Sequence, residues 1–381
     1  MGIILTAFVG RAEKVRIHTN SIKEELKRET SSLIRTIILS ASFVVWVGST
    51  VDIGYLSTAA MFPGAVILAY VFMEHVSDEY WKMRYIETIL ICSFLTALWG
   101  IVQYAGYDPF FCVRALNWKC FAMGGKAATV GFIGNSNFFS IMMIPGIILG
   151  GILTGPFSVV AAFLGGSITA WAGIGVSAVF MLLGYIRRES MKIILMLQTV
   201  VVLMMILVSI RISMDNSISH TTLKVLDQKT SHRIHAWRIA GRMLKDNPVK
   251  GLGIGNFPLI YPVYKYLIMQ PSPEGRIYNK SVYQPIYNWE AAHNEFIQAG
   301  AELGYPGLIA AIALFVLIAY RISTREHTKL TFFIAQAWFA MVITMIGHYT
   351  LRFPPTFVLF LLLTAMSVTL KEKITGADGG K

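Results

Sequence analysis

The sequence predicts an all-α polytopic membrane protein of about ten transmembrane helices, and three observations lead there. Hydrophobic residues fill 55% of the 381 positions and charged residues only 14%, whereas soluble domains carry roughly 25% charged residues. Mean hydropathy is +0.59. Several apolar runs reach the roughly 20 residues a helix needs to cross hydrocarbon. They are continuous, not alternating every second residue as barrel strands would be.

Residues 1–32 mix Lys, Arg and Glu and read as a cytoplasmic N-terminal segment. Their charges follow a weak apolar stretch, the reverse of a cleavable signal. Apolar spans follow at 34–50, 54–74 and 85–105, then a polar loop at 106–130 with Asp108, Arg114, Lys119 and Lys126. The stretch 131–186 is nearly free of charge but broken by Pro145, Gly150-Gly151, Gly155-Pro156 and Gly165-Gly166. Three spans there (132–151, 156–170 and 172–186) place Arg187, Arg188 and Lys192 in the cytoplasm; two would place them outside, against the positive-inside rule. A seventh span at 191–210 completes transmembrane helices one to seven within 33–210. The hydrophilic region 211–302 is then a large extracytoplasmic loop. Helices eight to ten fall at 303–321, 330–350 and 354–370, and a basic cytoplasmic tail covers 371–381. Both termini are expected in the cytoplasm.

The net charge of +12 does not point to nucleic acid. No nucleic-acid motif occurs, the basic residues are scattered over loops, and positive-inside bias with anionic headgroups accounts for the excess. Of three cysteines, Cys92 lies within a span. Cys112 and Cys120 share one outer loop, either as a small-loop disulfide or as two free thiols.

Chemistry is expected where the long loop meets the bilayer. In AAHNEFIQAGAELGYPGL, His293 and Asn294 precede an apolar run. A titratable imidazole at that boundary suits acid–base work on a lipid-anchored substrate. Asn294, Gln298 and Glu302 recur at i, i+4 and i+8, a polar stripe that must face protein or water and not lipid. Glu290 is expected one turn before His293. The loop carries eleven Lys and Arg against seven acids, a balance that suits phosphate-bearing substrates. Arg233 and Arg238 lie in SHRIHAWRIAGRMLKDNP, which reads as a helix ending near Asn247-Pro248. GLGIGNF (251–257) has the glycines of a phosphate loop, yet it follows a helix and no helix clearly starts after it. It reads as a turn folding back onto the membrane face. Asn135 and Asn137 in GNSN open the fourth span at the same face, to cap it or to hold hydroxyls.

These motifs resemble the O-antigen ligase/polymerase superfamily of bacterial membrane glycosyltransferases. The ligase signature H-[NSQ]-x9-G-x2-[GTY] is matched by His293, Asn294, Gly304 and Gly307. Similar stretches are ALWGIVQYAGYDPFF (97–111), GFIGNSNFF (131–139) and the run from Arg233 through Trp237 to NPVKGLGIGNF. The resemblance implies a GT-C-like inverting transferase, independent of metal and cofactor, at the outer face of the inner membrane. Its donor would be an undecaprenyl-diphosphate-linked glycan, and its acceptor lipid A core, another glycan or a protein. Carried over, His293 would act on the acceptor hydroxyl and Arg233 on the diphosphate, helped by Arg238 or Arg211. Asn294, Glu302, Asn135 and Asn137 complete the expected substrate-binding set. Two departures stand out. Many members carry Ser-Arg near the position of Ala170-Trp171, so that Lys126, Arg211 or Arg352 would substitute here. The chain is also shorter at its N-terminus than members with about twelve spans. Other readings are a repeat-unit polymerase or protein oligosaccharyltransferase of the same superfamily, a lipid-linked-glycan transporter, or a structural partner in an envelope-polysaccharide machine. Transporters favour ionisable groups near the midplane, and the span centres here hold almost none.

Overall fold

The computed structural model describes residues 71–73, 75–76, 78–105, 129–187, 190–214, 228–269, 290–325 and 327–369, all within the unit Ala65–Lys381. Every regular element among them is a helix. In chain order these are α1 (Glu79–Tyr104), α2 (Ser136–Met142), α3 (Ile144–Leu149), α4 (Gly151–Gly165), α5 (Ile168–Ile186) and α6 (Met191–Met214). They continue with α7 (Gln228–Asp246), α8 (Phe257–Met269), α9 (Glu295–Ser323), α10 (Lys329–Gly347) and α11 (Pro354–Val368).

Five described helices are long and apolar enough to cross a membrane: α1 from Tyr80, α5, α6, α9 and α10. Ser136–Leu149, α4 and α11 are shorter apolar segments. They fall at the expected third to tenth spans; the first span, and all of the second but residues 71–73, lie outside the described residues. Against the expectation of ten, the described residues hold eight apolar segments, three of them short of the roughly 20 residues a full crossing requires.

Local sequence explains where the helices begin. Asp78, Asn135, Ser167 and Asn294 each accept a hydrogen bond from the first turn of the helix that follows. Thr328 and Thr331 form a reciprocal capping box at the start of α10. Helix α10 lies at the centre: 83% of its apolar window is buried, against 28–33% for the other long spans. Trp338, Phe339 and Ile343 pack in its core. Gln336 of α10 and Gln198 of α6 exchange two hydrogen bonds, at 3.0 and 2.9 Å. Both amides are thereby satisfied where water is absent. On the outside, Ile152, Phe163, Leu182, Ile193 and Leu317 are exposed, which suits lipid and not water.

The region expected to be a loop, 211–302, contains α7, α8 and the first residues of α9. Helix α7 ends at Asp246, as its Asn247-Pro248 signal predicts. It buries Ala236, Ile239, Ala240 and Met243 against Phe257 and Tyr261 of α8 and Ile297 and Ala301 of α9. Helix α8 starts at Phe257, directly after the glycine run, which corrects the reading that no helix follows it. Asn256 stands directly before this helix and donates its amide to the Leu252 carbonyl at 2.8 Å, and Phe257 and Tyr261 bury one face of it.

The glycine run folds back onto α9, as expected. Leu252 and Gly253 donate their N–H groups to the carbonyls of Ala301 and Glu302, at 3.0 and 2.8 Å, so these donors hold helix and not phosphate. The turn can dock because α9 breaks at Gly304, where φ is 71° and ψ −168°, a conformation essentially confined to glycine. Helix eight therefore starts earlier than its expected 303, at Glu295, and bends at Gly304. Gly251 (φ 63°) leaves no room for a Cβ against the Glu302 backbone. A Cβ on Gly304 would stand 2.6 Å from the carbonyl oxygens of Pro248 and Val249. Gly304→Ala is therefore expected to lower the thermal midpoint in detergent by several degrees. Strain of about 1–3 kcal/mol at about 2–4 °C per kcal/mol sets that scale, and an unchanged midpoint would show that the kink can relax.

Candidate functional site

The residues just before α9 bend instead of continuing the helix, so Glu290 is exposed and not stacked one turn below His293 as the sequence suggested. His293 has φ 55°, the only positive value at a non-glycine residue among those described. An imidazole held in the left-handed region is a strained placement of the kind found at functional sites. Two contacts hold it there. Trp237 of α7 donates its indole N–H to the His293 carbonyl at 3.3 Å. Asn294, fully buried, caps α9 by accepting from Phe296 and Ile297. The Asn294 amide donates to Ser209 Oγ of α6 and to the Ile346 carbonyl of α10. The side chain of Asn294 is thus occupied in joining three helices.

The bond to Ile346 brings the end of α10 beside His293. His348 and Tyr349 follow that helix, and the His293 ring meets them edge-on, with centroids 5.4 and 4.9 Å away. His348 stacks on Tyr349 at 4.6 Å and is flanked by Phe138 of α2 at 4.6 Å. The sequence reading missed both residues. GHYTLR (347–352), a polar stretch between the last two spans on the same face as the long loop, was the available signal.

Arg233 of α7 completes the cluster. Its Nη1 lies 4.0 Å from where a Cβ on Gly347 would sit. Burial first, and the Arg233 guanidinium second, push the His293 pKa down from 6.5 to about 3. His348 is held well below the usual histidine range by burial, then by His293 and Arg233. Both rings are therefore neutral at physiological pH. Burial, then Glu290, raises the Tyr349 phenol.

Beneath the rings lies a charged brace. Arg352 Nη2 contacts Glu302 at 2.9 Å, and its Nε lies 3.8 Å from Glu295. Glu295 also accepts from the Leu351 N–H at 2.7 Å. Gln298 links Glu302 (3.0 Å) to the Ala292 N–H (2.8 Å). The expected stripe of Asn294, Gln298 and Glu302 thus faces protein throughout, each residue at most 3% exposed. Its ties run to the segments on either side of His293 and His348.

The other expected residues divide. Asn135 caps α2 through the Asn137 and Phe138 N–H groups, and Asn137 is half-buried beside Phe138. Arg238 is half-buried, about 140° around the α7 axis from Arg233. Arg211 is exposed in the last turn of α6. Lys126, Cys112 and Cys120 lie outside the described residues, and Cys92 is an exposed free thiol on α1.

Fold and site define a multi-pass helical membrane protein with two imidazoles and a guanidinium gathered where its helices end. Residues 153–312 match the family model described as O-antigen ligase. The matched region contains Arg233, the glycine turn, His293, Asn294 and Gly304, and stops short of His348. No curated protein matches the chain. The Ala170-Trp171 stretch borders the site, since the Thr169 methyl fills the space a Cβ on Gly347 would need.

Proposed function

We propose that this protein transfers a glycan from an undecaprenyl diphosphate carrier to an acceptor hydroxyl at the periplasmic face of the inner membrane, as an O-antigen ligase does. The observation that carries the reading is the juxtaposition of half-buried Arg233 with buried His293. The acceptor oxygen attacks the anomeric carbon from the face opposite the diphosphate, so the new glycosidic bond forms as the C1–O–P bond breaks. The bond's electron pair leaves with the diphosphate, and Arg233 offsets the charge that grows there. His293 takes the hydroxyl proton. Its neutral state suits this role, and the incoming diphosphate counters Arg233 and raises the proton affinity of the ring. Arg238, Arg211, Asn137 and Lys126 are assigned to the approaching glycan and diphosphate, while Asn294, Asn135, Glu302 and Arg352 hold the frame.

Comparing glycans from cells with and without the gene tests the reading. The expected result is loss of long chains from lipid A core, with chain synthesis on the carrier intact. Loss of chain length alone would identify a polymerase, and loss of protein glycans an oligosaccharyltransferase. Unchanged glycans in all three classes would overturn the assignment.

A further inference from the structure

Burial first, and then the Arg233 charge that suits a diphosphate, weakens His293 as a base. A lone imidazole at about 3 is a poor proton acceptor at neutral pH, because general-base efficiency falls as pKa drops below the working pH. The cluster holds a second imidazole. His348 is 1% exposed, and its buried Nδ1 has no hydrogen-bond partner among the described residues. Its ring lies edge-on to His293 and is fixed by stacking on Tyr349 and contact with Phe138.

We propose that His348 is the positioning residue of this site, fixing the orientation of the His293 ring and sharing the proton that His293 takes from the acceptor hydroxyl. The inference rests on the transferase reading above. A proton divided between two rings spreads its charge and lowers the cost of forming imidazolium next to Arg233. The step stays balanced: the hydroxyl proton enters the imidazole pair and leaves to solvent after the polyprenyl diphosphate departs. The charged and titratable neighbours are Arg233 from α7, His293 and Glu290 from the segment before α9, and Tyr349 beside His348 itself. Arg352 lies nearby, paired with Glu302 and Glu295. A bystander role for His348 would require only its ring, which Phe can supply. The proposed role requires its nitrogen.

The test measures kcat, donor KM and pH dependence in proteoliposomes for wild type, His348→Phe and His348→Asn. His348→Phe is expected to lower kcat about 100-fold, the lower end of general acid–base effects, with donor KM within about twofold. Its residual rate should climb from pH 6 to 9, as hydroxide substitutes for the missing acceptor, while the wild-type rate stays flat. His348→Asn can orient His293 but not take a proton, so it should recover rate and keep the altered pH slope. This second variant decides the matter if the Phe protein fails to insert. Wild-type rate, or a loss with the wild-type pH profile, in the variant that inserts would overturn the inference. Active wild type with inactive His293→Ala and unaffected His348 variants would sink this inference alone. No transfer by the wild-type protein would sink the transferase reading and this inference with it.

Discussion

His293→Ala is expected to abolish the proposed glycan transfer, lowering kcat by about 1,000-fold or more, while the protein still inserts at normal levels. Removal of a positioned proton acceptor costs roughly 100- to 10,000-fold. The loss should fall on kcat and not on donor KM, because the ring acts on a proton that moves only as the bond forms. Backbone strain complicates the Ala variant, since φ at this position is 55° and a left-handed Ala costs about 1–2 kcal/mol. His293→Asn supplies the control, because Asn tolerates that conformation. Both variants are expected to be equally inactive, with Ala the less stable. An active Asn variant would remove the base assignment. The same residue makes stability depend on acid. The His293 pKa in the fold is about 3 against 6.5 when unfolded, so the unfolded chain binds more protons between those values. Stability therefore falls as pH drops below about 6.5, and wild type should lose more of its thermal midpoint between pH 7 and 5 than His293→Asn. Equal losses in the two would show that the imidazole is not buried as described.

The spans were legible because the bilayer imposes one rule, a run of apolar residues long enough to cross it. That rule located the described apolar helices to within about six residues, with the largest miss at Glu295. There the first turns carry Gln298 and Glu302, residues that hydropathy assigns to a loop. They are tolerated because Gln298 bonds Glu302 one turn on and Arg352, 50 residues further along the chain, neutralises it. Helix α8 was missed for a related reason: its start is set by docking of the preceding turn on Ala301 and Glu302.

The candidate site was legible in part. His293 and Arg233 are 60 positions apart, yet each stood out locally, one by its place at the bilayer edge and the other by its helical face. His348 and Tyr349 did not stand out, because the expected ninth span, 330–350, took them in as its last residues. Only the bond from Asn294 to the Ile346 carbonyl brings them beside His293. Asn294 reads from sequence as a substrate ligand and Asn135 as a ligand or a cap, and the structure gives each a pair of capping bonds.

Arg233→Lys tests the other half of the cluster. The charge is retained, so a site that needs only a cation should turn over nearly as before. The expected result is instead a drop in kcat of about 100-fold. Guanidinium presents a rigid planar fork that engages two phosphate oxygens, whereas the lysine ammonium is a single, strongly hydrated point charge. Helix α7 is fixed by its buried face against α8 and α9 and cannot shift to bring a differently shaped head into the same place. Loss of one preorganised donor to a developing charge is worth about 100- to 1,000-fold at comparable sites. Arg233 also lowers the proton affinity of His293 and His348 through its charge, and Lys preserves that effect. The pH profile of Arg233→Lys should therefore keep the wild-type shape while the rate falls. In Arg233→Ala both should change, because the imidazoles lose their cationic neighbour. Wild-type turnover in Arg233→Lys would move the diphosphate to another cation, with Arg238 on the same helix the next to replace.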